Sequence, residues 1–402
     1  TCTPADNPSL DPGEGFSVWA MDTTGLYIHI PFCQAKCAYC DFNSFPGYEP
    51  LFAPYLAALR TEMRLWIKHG HPRSRPCFQT VYIGGGTPTV LPVDDLAQLL
   101  EAIRRTVTLA DDAEITVEAN PGTLHAGALA CLREAGITRL SLGVQSFDDA
   151  LLRTLGRIHS AAEAHTAVGN ARAAGFANLN LDLMFGLPRQ TSRQWQADVR
   201  QAVEFGPEHL SLYALTVETG TPLSARIQEG TLPAPDDDLA AEMYEWAETE
   251  LARAGYVHYE ISNWARPGYA CQHNLTYWHN QPYIGLGAGA HSWWKGRRWV
   301  NLSLPPDYIR ALDLGRLPIA EEEEIERQVE MGETMMMGLR LLEEGVSLDS
   351  FQQRFGTPID AVYARQIASL SERGLLERLP DRIRLTQRGH LLGNQVFAEF
   401  LL

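Results

Sequence analysis

Strand-like apolar runs and helical apolar stripes alternate along most of this chain. The runs fall at residues 26–30, 80–83, 114–118, 139–144, 178–184 and 209–215. Between them apolar positions recur at helical spacing, over 54–69 (Leu56, Leu59, Met63, Ile67), 93–106, 124–134, 161–174 and 192–204. Six strands alternating with helices predict an α/β fold with a parallel sheet and right-handed crossovers. Six units, short of eight, predict an incomplete (β/α)6 barrel with its chemistry at the C-terminal ends of the strands.

From Glu321 the pattern changes. An acidic run, Glu321 to Glu324, precedes a segment containing Met335, Met336 and Met337, which reads as flexible core filling. Helical stretches at 348–355 and 359–373 are followed by 375–385, broken at Pro380-Asp381, so a helical, winged-helix-like domain is expected. The expected organisation is a leader over 1–24, the barrel over 25–235, a smaller α+β region over 236–320 packed on it, and the C-terminal domain over 321–402. The leader has neither a basic n-region nor an apolar h-region, and so reads as neither a signal peptide nor a membrane span. Met21 stands just ahead of the first strand as a candidate start.

Composition narrows the function classes. A net charge of −16 argues against non-specific binding to nucleic acid or to an anionic membrane surface. Within 321–402, nine Arg and no Lys stand against fifteen acidic residues, which does not suit a phosphate-binding surface. Partner docking or structural capping is the expected role there. Three of the seven cysteines crowd into one loop, which points to a reducing cytosol instead of a disulfide framework.

That loop carries the strongest chemical signal. Cys33, Cys37 and Cys40 lie in a C-x3-C-x2-C spacing directly after the first strand. Soft thiolates select zinc or iron–sulfur clusters, and three cysteines this close suit a cubane whose fourth iron stays open. Zinc would want a fourth Cys or His, and His69 and Cys77 lie far along the chain. Polar residues also collect where the later strands end. Gly84, Gly85, Gly86, Thr87 and Pro88 close the second strand, Glu118 and Asn120 the third and Gln145 the fourth, while Asp182 sits in the fifth and Arg157 before it.

The cysteine spacing resembles the radical S-adenosylmethionine (SAM) superfamily, in which SAM chelates the open iron of a [4Fe–4S] cluster through its amino and carboxylate groups. Tyr27-Ile-His-Ile-Pro-Phe-Cys33, the GGGTP turn, Glu118-Ala-Asn-Pro-Gly, Leu142-Gly-Val-Gln-Ser-Phe, Leu155-Gly-Arg-Ile-His159 and Asp182-Leu-Met-Phe-Gly-Leu-Pro188 resemble oxygen-independent coproporphyrinogen III oxidase and its relatives. The resemblance implies SAM contacts from Tyr27, Tyr39, Gly85, Gly86, Thr87, Glu118, Gln145, Arg157 and Asp182. Acidic and amide groups suit the ribose hydroxyls and amino group, and an Arg suits the carboxylate.

Two features turn the expectation away from the oxidases, which carry a further cysteine two positions after the third cluster ligand. This chain has Phe42 there. His273-Asn274-x-x-Tyr277-Trp278 resembles the H-N-x-x-Y-W signature of HemW-type haem chaperones, which implies a haem ligand at His273, with Cys271 and His279 as nearby alternatives. Lys295, Arg297 and Arg298 are candidate partners for haem propionates. The expectation is therefore a cytoplasmic haem chaperone carrying a [4Fe–4S] cluster, SAM and haem, with a haem-acceptor protein as partner and room for a homodimer. The alternative is a porphyrinogen-decarboxylating oxidase.

Overall fold

The computed structural model describes residues 24–69 and 76–401; the expected leader and Met21 lie almost wholly outside them. The barrel strands are β1 (Gly25–Ile30), β2 (Cys77–Gly85), β3 (Thr108–Ala119), β4 (Arg139–Gln145), β5 (Leu179–Phe185) and β6 (His209–Ala214). They run parallel in that order, as the alternation of runs and stripes predicts. The covering helices are α1 (Phe52–His69), α2 (Val93–Thr106), α3 (Ala126–Glu134), α4 (Asp149–Leu155), α5 (Ala161–Ala173) and α6 (Ser192–Glu204). Strand side chains of one parity, such as Leu26, Ile28, Val81, Ile83, Leu140, Leu142, Leu181 and Leu210, join the helices in a single buried core. The other parity turns polar groups inward, among them Tyr27, Thr80, Glu118, Ser141, Asp182 and Ser211.

Local chemistry fixes the helix starts. Reciprocal capping boxes, Ser160 with Glu163 on α5 and Thr191 with Gln194 on α6, satisfy the first free amides. Asp148 caps α4 through Ala150 and Leu151, and Gly156 ends it in the left-handed conformation.

The chain then returns to both margins of the barrel. After α7 (Pro222–Gln228) and α8 (Asp237–Arg253), β7 (Val257–Glu260) and β8 (Asn263–Ala265) add antiparallel strands beside β6. Then α9 (Gln272–Trp278) leads into β9 (Tyr283–Leu286), which pairs parallel with β1, followed by antiparallel β10 (His291–Trp294) and β11 (Arg297–Asn301). Past α10 (Pro305–Asp313), β12 (Ile319–Glu324) completes a twelve-stranded sheet in the order β12-β11-β10-β9-β1-β2-β3-β4-β5-β6-β8-β7. The acidic run thus lies on an edge strand, where Arg297 meets Glu322 and Arg298 meets Glu323 across the ladder.

One buried carboxyl locks this return. Glu62 on α1 accepts from the Gly287 amide at 2.9 Å and the Asn301 amide group at 2.6 Å, and it also bonds the Tyr308 hydroxyl. Burial, opposed by those hydrogen bonds, pushes the Glu62 carboxyl up to about 7.

Residues from Met331 to Phe400 build a second hydrophobic core. It comprises α11 (Arg327–Gly338), β13 (Val346–Ser347), α12 (Leu348–Phe355), α13 (Ile359–Glu372), β14 (Leu376–Arg378), β15 (Arg382–Leu385), α14 (Gln387–Leu391) and α15 (Gly393–Ala398). The 375–385 segment broken at Pro380-Asp381 forms the hairpin β14–β15, with β13 as a third strand. Met335 is fully buried, in keeping with core filling. The core is joined to the rest by the bridge between Glu260 and Leu341, and by Arg340, which stacks over Trp278 at 4.2 Å and pairs with fully buried Glu260 at 3.3 Å.

Candidate functional site

The cysteine loop leaves the C-terminal end of β1 and folds over the barrel mouth. Its backbone is tied down by Ala38 N to Leu155 O and by Phe45 N to Pro31 O. Cys33, Cys37 and Cys40 are all free and partly exposed. Each has its own polar neighbour: Thr87 Oγ1 lies 3.7 Å from Cys33 Sγ, Arg157 Nη1 donates to Cys37 Sγ at 3.3 Å, and Ser44 Oγ lies 3.9 Å from Cys40 Sγ. Burial pushes the Cys33 and Cys40 thiols up, so they wait protonated for a metal that displaces the proton.

These donors fit a cluster better than a single ion. Among the described residues only one His/Cys/Asp/Glu triad brings its ligand atoms within 4.8 Å of one another, and it is not this one. A cubane uses each sulfur on a separate iron, whereas zinc would draw them together. Two glycines keep the mouth open. A Cβ on Gly86 would lie 2.5 Å from the Phe32 carbonyl oxygen and 3.0 Å from Cys33 Sγ. At Gly85, with φ of +116°, it would strike the His29 ring at 2.6 Å.

A hydrogen-bonded chain links two of the cysteines. Arg157 donates to Asn120 Oδ1 and, at 2.7 Å, to the Gly143 carbonyl, while Asn120 Nδ2 donates to Thr87 Oγ1 at 2.9 Å. Cys37, Thr87, Asn120 and Arg157 line one cleft, and the buried Arg157 Nε has no protein partner. Gln145 adopts a left-handed backbone with φ of +67° at the end of β4, a strain of the kind stored at functional sites.

Below the mouth, Glu118 accepts from Tyr82 Oη at 2.7 Å and from the Gly85 amide at 3.1 Å. Its removal from water, aided by the Asp182 charge, pushes it up to about 7 despite those bonds. Asp182, raised by burial, accepts from Asn180 at 2.7 Å and Ser141 at 3.4 Å. Tyr27 stacks on Tyr82 with ring centres 6.2 Å apart and bonds His29 Nδ1 at 2.9 Å. Tyr39 packs against the small buried cluster that contains Leu151, Leu155 and Met184. The structure therefore gathers every residue expected to contact SAM around one end of the barrel and its upper interior. Asn120, the link between Thr87 and Arg157, had no signal of its own beyond its place at a strand end.

His273 lies directly behind this aromatic layer, its ring centre 5.1 Å from that of Tyr82 and 6.3 Å from that of Tyr27. It sits on α9 against Gly25 and Thr80, near the N-terminal ends of β1 and β2, and is 1% exposed. Nδ1 pairs with Thr80 Oγ1 at 2.7 Å and Nε2 with Tyr277 Oη at 2.9 Å, so both ring nitrogens are engaged. Burial and the Arg139 charge push it down to about 3, keeping the imidazole neutral. Cys271 is fully buried and its thiol is pushed up to about 12 by burial, whereas His279 is partly exposed and paired with Glu344 at 3.0 Å. Arg297 and Arg298 are neutralised by glutamates, Arg298 by Glu333 at 2.6 Å as well as Glu323. Phe42 is 65% exposed beside the cysteines.

Residues 27–202 match the radical SAM superfamily and residues 325–392 the HemN C-terminal domain. The Bacillus subtilis haem chaperone HemW is 40% identical over 93% of this chain and 98% of its own. The Mycobacterium tuberculosis (strain H37Rv) protein of that name is 40% identical, covering 99% and 98%, and that of Escherichia coli 38%, covering 94% and 97%. The solved structure of coproporphyrinogen III oxidase (HemN) from Escherichia coli superposes with a TM-score of 0.81 at 23% identity, over 94% of this chain and 90% of that one, and so shares its fold. No helix among the described residues is long and apolar enough to cross a membrane. With this coverage and identity to several chaperones, the chain belongs to the HemW family of haem chaperones, within the radical SAM superfamily.

Proposed function

We propose that this protein binds haem and hands it to an acceptor protein, on a framework that holds a [4Fe–4S] cluster and SAM. The observation that carries the reading is near-full-length identity of about 40% to proteins named haem chaperones. In this reading Cys33, Cys37 and Cys40 hold the cluster, whose open iron binds SAM. Arg157, with one buried nitrogen unpartnered, takes the SAM carboxylate. Glu118 and Asp182 face its amino group and ribose, while Tyr27, Tyr39, Gly85, Gly86, Thr87 and Gln145 shape the walls.

His273 is the proposed haem ligand. Its neutral imidazole supports that role, and iron must take the place of the Tyr277 hydroxyl at Nε2. β1 separates Gly25, beside His273, from the cysteine loop by about 17 Å at the usual rise per residue. The His273 ring packs against Tyr82 and Tyr27, with ring centres 5.1 and 6.3 Å away, so haem bound there would sit behind the aromatic wall of the proposed SAM site. The exposed Phe42 at the position of the oxidases' extra cysteine favours carriage over an oxidase reaction on a porphyrin side chain.

The test is an anaerobic haem titration of cluster-reconstituted protein, followed in the Soret region. Wild type is expected to saturate near one haem per chain, Tyr277→Phe to bind at least as tightly, and His273→Ala to lose or shift the band. Indifference of wild type to haem overturns the proposal. Identical spectra and affinity in His273→Ala overturn the ligand assignment.

A further inference from the structure

Away from the barrel mouth, the two cores meet around three side chains that no part of the haem or cluster reading uses. Glu248 on α8, His258 on β7 and His390 on α14 bring their ligand atoms within 4.8 Å of one another. Glu248 Oε1 lies 3.0 Å from His258 Nδ1 and 2.9 Å from His390 Nδ1. Each side chain in the group is about 15% exposed.

Hydrogen-bond accounting around His258 shows what the group lacks. His258 Nε2 lies 3.2 Å from the Ile261 carbonyl oxygen and 3.3 Å from Tyr244 Oη, and the Tyr244 hydrogen already goes to that same carbonyl at 2.9 Å. A carbonyl only accepts, so Nε2 carries the proton, and in a neutral ring Nδ1 is then a bare lone pair. That lone pair faces Glu248 Oε1, another acceptor. Glu248 Oε1 brings only lone pairs to the group, because a carboxylate accepts and does not donate. A second imidazole nitrogen converges on the same oxygen. A positive charge must sit among these three atoms, and either an added proton or a metal cation supplies it.

The surroundings favour a metal. A ligating histidine commonly donates its other N–H to a backbone carbonyl, which fixes tautomer and orientation, as His258 does here. The ring is further held flat against Trp264, with centres 3.9 Å apart and planes 9° apart. Donors around a tetrahedral zinc at about 2.0–2.1 Å stand roughly 3.3 Å apart. The two N···O separations need to open by only a few tenths of an ångström to admit one. The group opens into a cleft lined by Glu343, Gln387 and the Arg384–Glu377 ion pair, with room for water in a fourth position.

We propose that Glu248, His258 and His390 form a zinc-type divalent-metal site that staples the C-terminal core to the barrel. Two nitrogens and one carboxylate oxygen suit zinc and its neighbours in the first transition row, not calcium or magnesium. The staple ties α14 to α8 and β7, strands and helices that are separated from it in sequence by more than a hundred residues.

The test uses the full chain with Cys33, Cys37 and Cys40 changed to serine, so that the thiolates do not compete. Zn(II) is titrated by calorimetry and Co(II) by visible absorption at neutral pH. One ion per chain is expected, with a Co(II) spectrum free of thiolate charge transfer and a rise in melting temperature on adding Zn(II). His390→Ala and Glu248→Gln, checked for native circular dichroism, are expected to weaken zinc by more than the roughly 10–100-fold that outer-shell changes cost. Failure of this triple-serine chain to bind zinc overturns the proposal and leaves a proton-bridged cluster. Equal affinity in folded His390→Ala and Glu248→Gln places the ion elsewhere and overturns it as well.

Discussion

Replacing Glu118 with Gln should uncouple SAM binding from pH. In the free protein the Glu118 carboxyl is pushed up to about 7 from an ordinary 4.5, by removal from water and by the Asp182 charge. It therefore keeps its proton through weakly acid solution. SAM brings an ammonium, a sulfonium and ribose hydroxyls, all of which favour the carboxylate. Binding must then expel the proton. If the bound state restores an ordinary carboxylate, the coupling is worth roughly 3 kcal/mol, at about 1.4 kcal/mol for each tenfold change. The sign follows from proton counting: the complex holds fewer protons than the free protein below about pH 7, so affinity rises with pH there. The expected slope is about tenfold per pH unit between about 5 and 7, flattening above. Calorimetry in buffers of different ionisation enthalpy measures both the affinity and the protons released, close to one per SAM at about pH 6. Glu118→Gln keeps a polar partner for Tyr82 but has no proton to release, so this slope disappears. A wild-type affinity that is flat across that window, or an unchanged slope in the variant, would refute the assignment of Glu118 to the SAM site.

Other tests follow from single contacts. Gly86→Ala should fold yet fail to assemble the cluster, because the new methyl would sit against the Phe32 carbonyl and 3.0 Å from Cys33 Sγ; loss of the broad iron–sulfur absorption with native circular dichroism is the readout. Glu62 is protonated more readily folded than unfolded, at about 7 against an ordinary 4.5, so wild-type stability should fall as pH rises through that interval. In Glu62→Gln, urea melts across the same interval should lose this trend, worth up to about 3 kcal/mol. Arg340→Ala should destabilise by about 3–5 kcal/mol in chemical melts, because it strands the fully buried Glu260 carboxylate.

The barrel strands were legible because a strand buried against helices on one side and lining a polar interior on the other writes its alternation into the sequence. Leu26, Ile28 and Ile30 against Tyr27 and His29 show it within one strand. β9 was not legible as a strand: Gly285 carries no β propensity, and pairing with β1 on one side and β10 on the other makes Tyr283–Leu286 extended. The cysteine loop could be read because all three ligands are local. Asn120 could not, since its importance lies in joining Thr87 to Arg157, which are seventy residues apart in sequence. Nor could the pairing of Arg297 and Arg298 with glutamates, which turns candidate propionate partners into ladder contacts. His273 looks in sequence like a free ligand beside aromatic residues, yet those aromatics and Thr80 occupy both its nitrogens.

The twelve-stranded sheet does not close on itself, so it ends in two strands with unpaired backbone groups, β7 and β12. The two ends are protected differently. At β7 the chain itself intervenes, through the Glu260–Leu341 bridge and the bond from Leu342 N to Tyr259 O. β12 has no such cover from the described residues; it presents Glu321, Glu322, Glu323 and Glu324, all exposed. A second copy aligning its own β12 there would bring carboxylate rows face to face. That repulsion discourages runaway sheet growth during synthesis and at high concentration, and it steers any self-association to other faces of the molecule. Lysine in place of these glutamates on half of the molecules would remove the barrier and invite edge-to-edge pairing between the two populations.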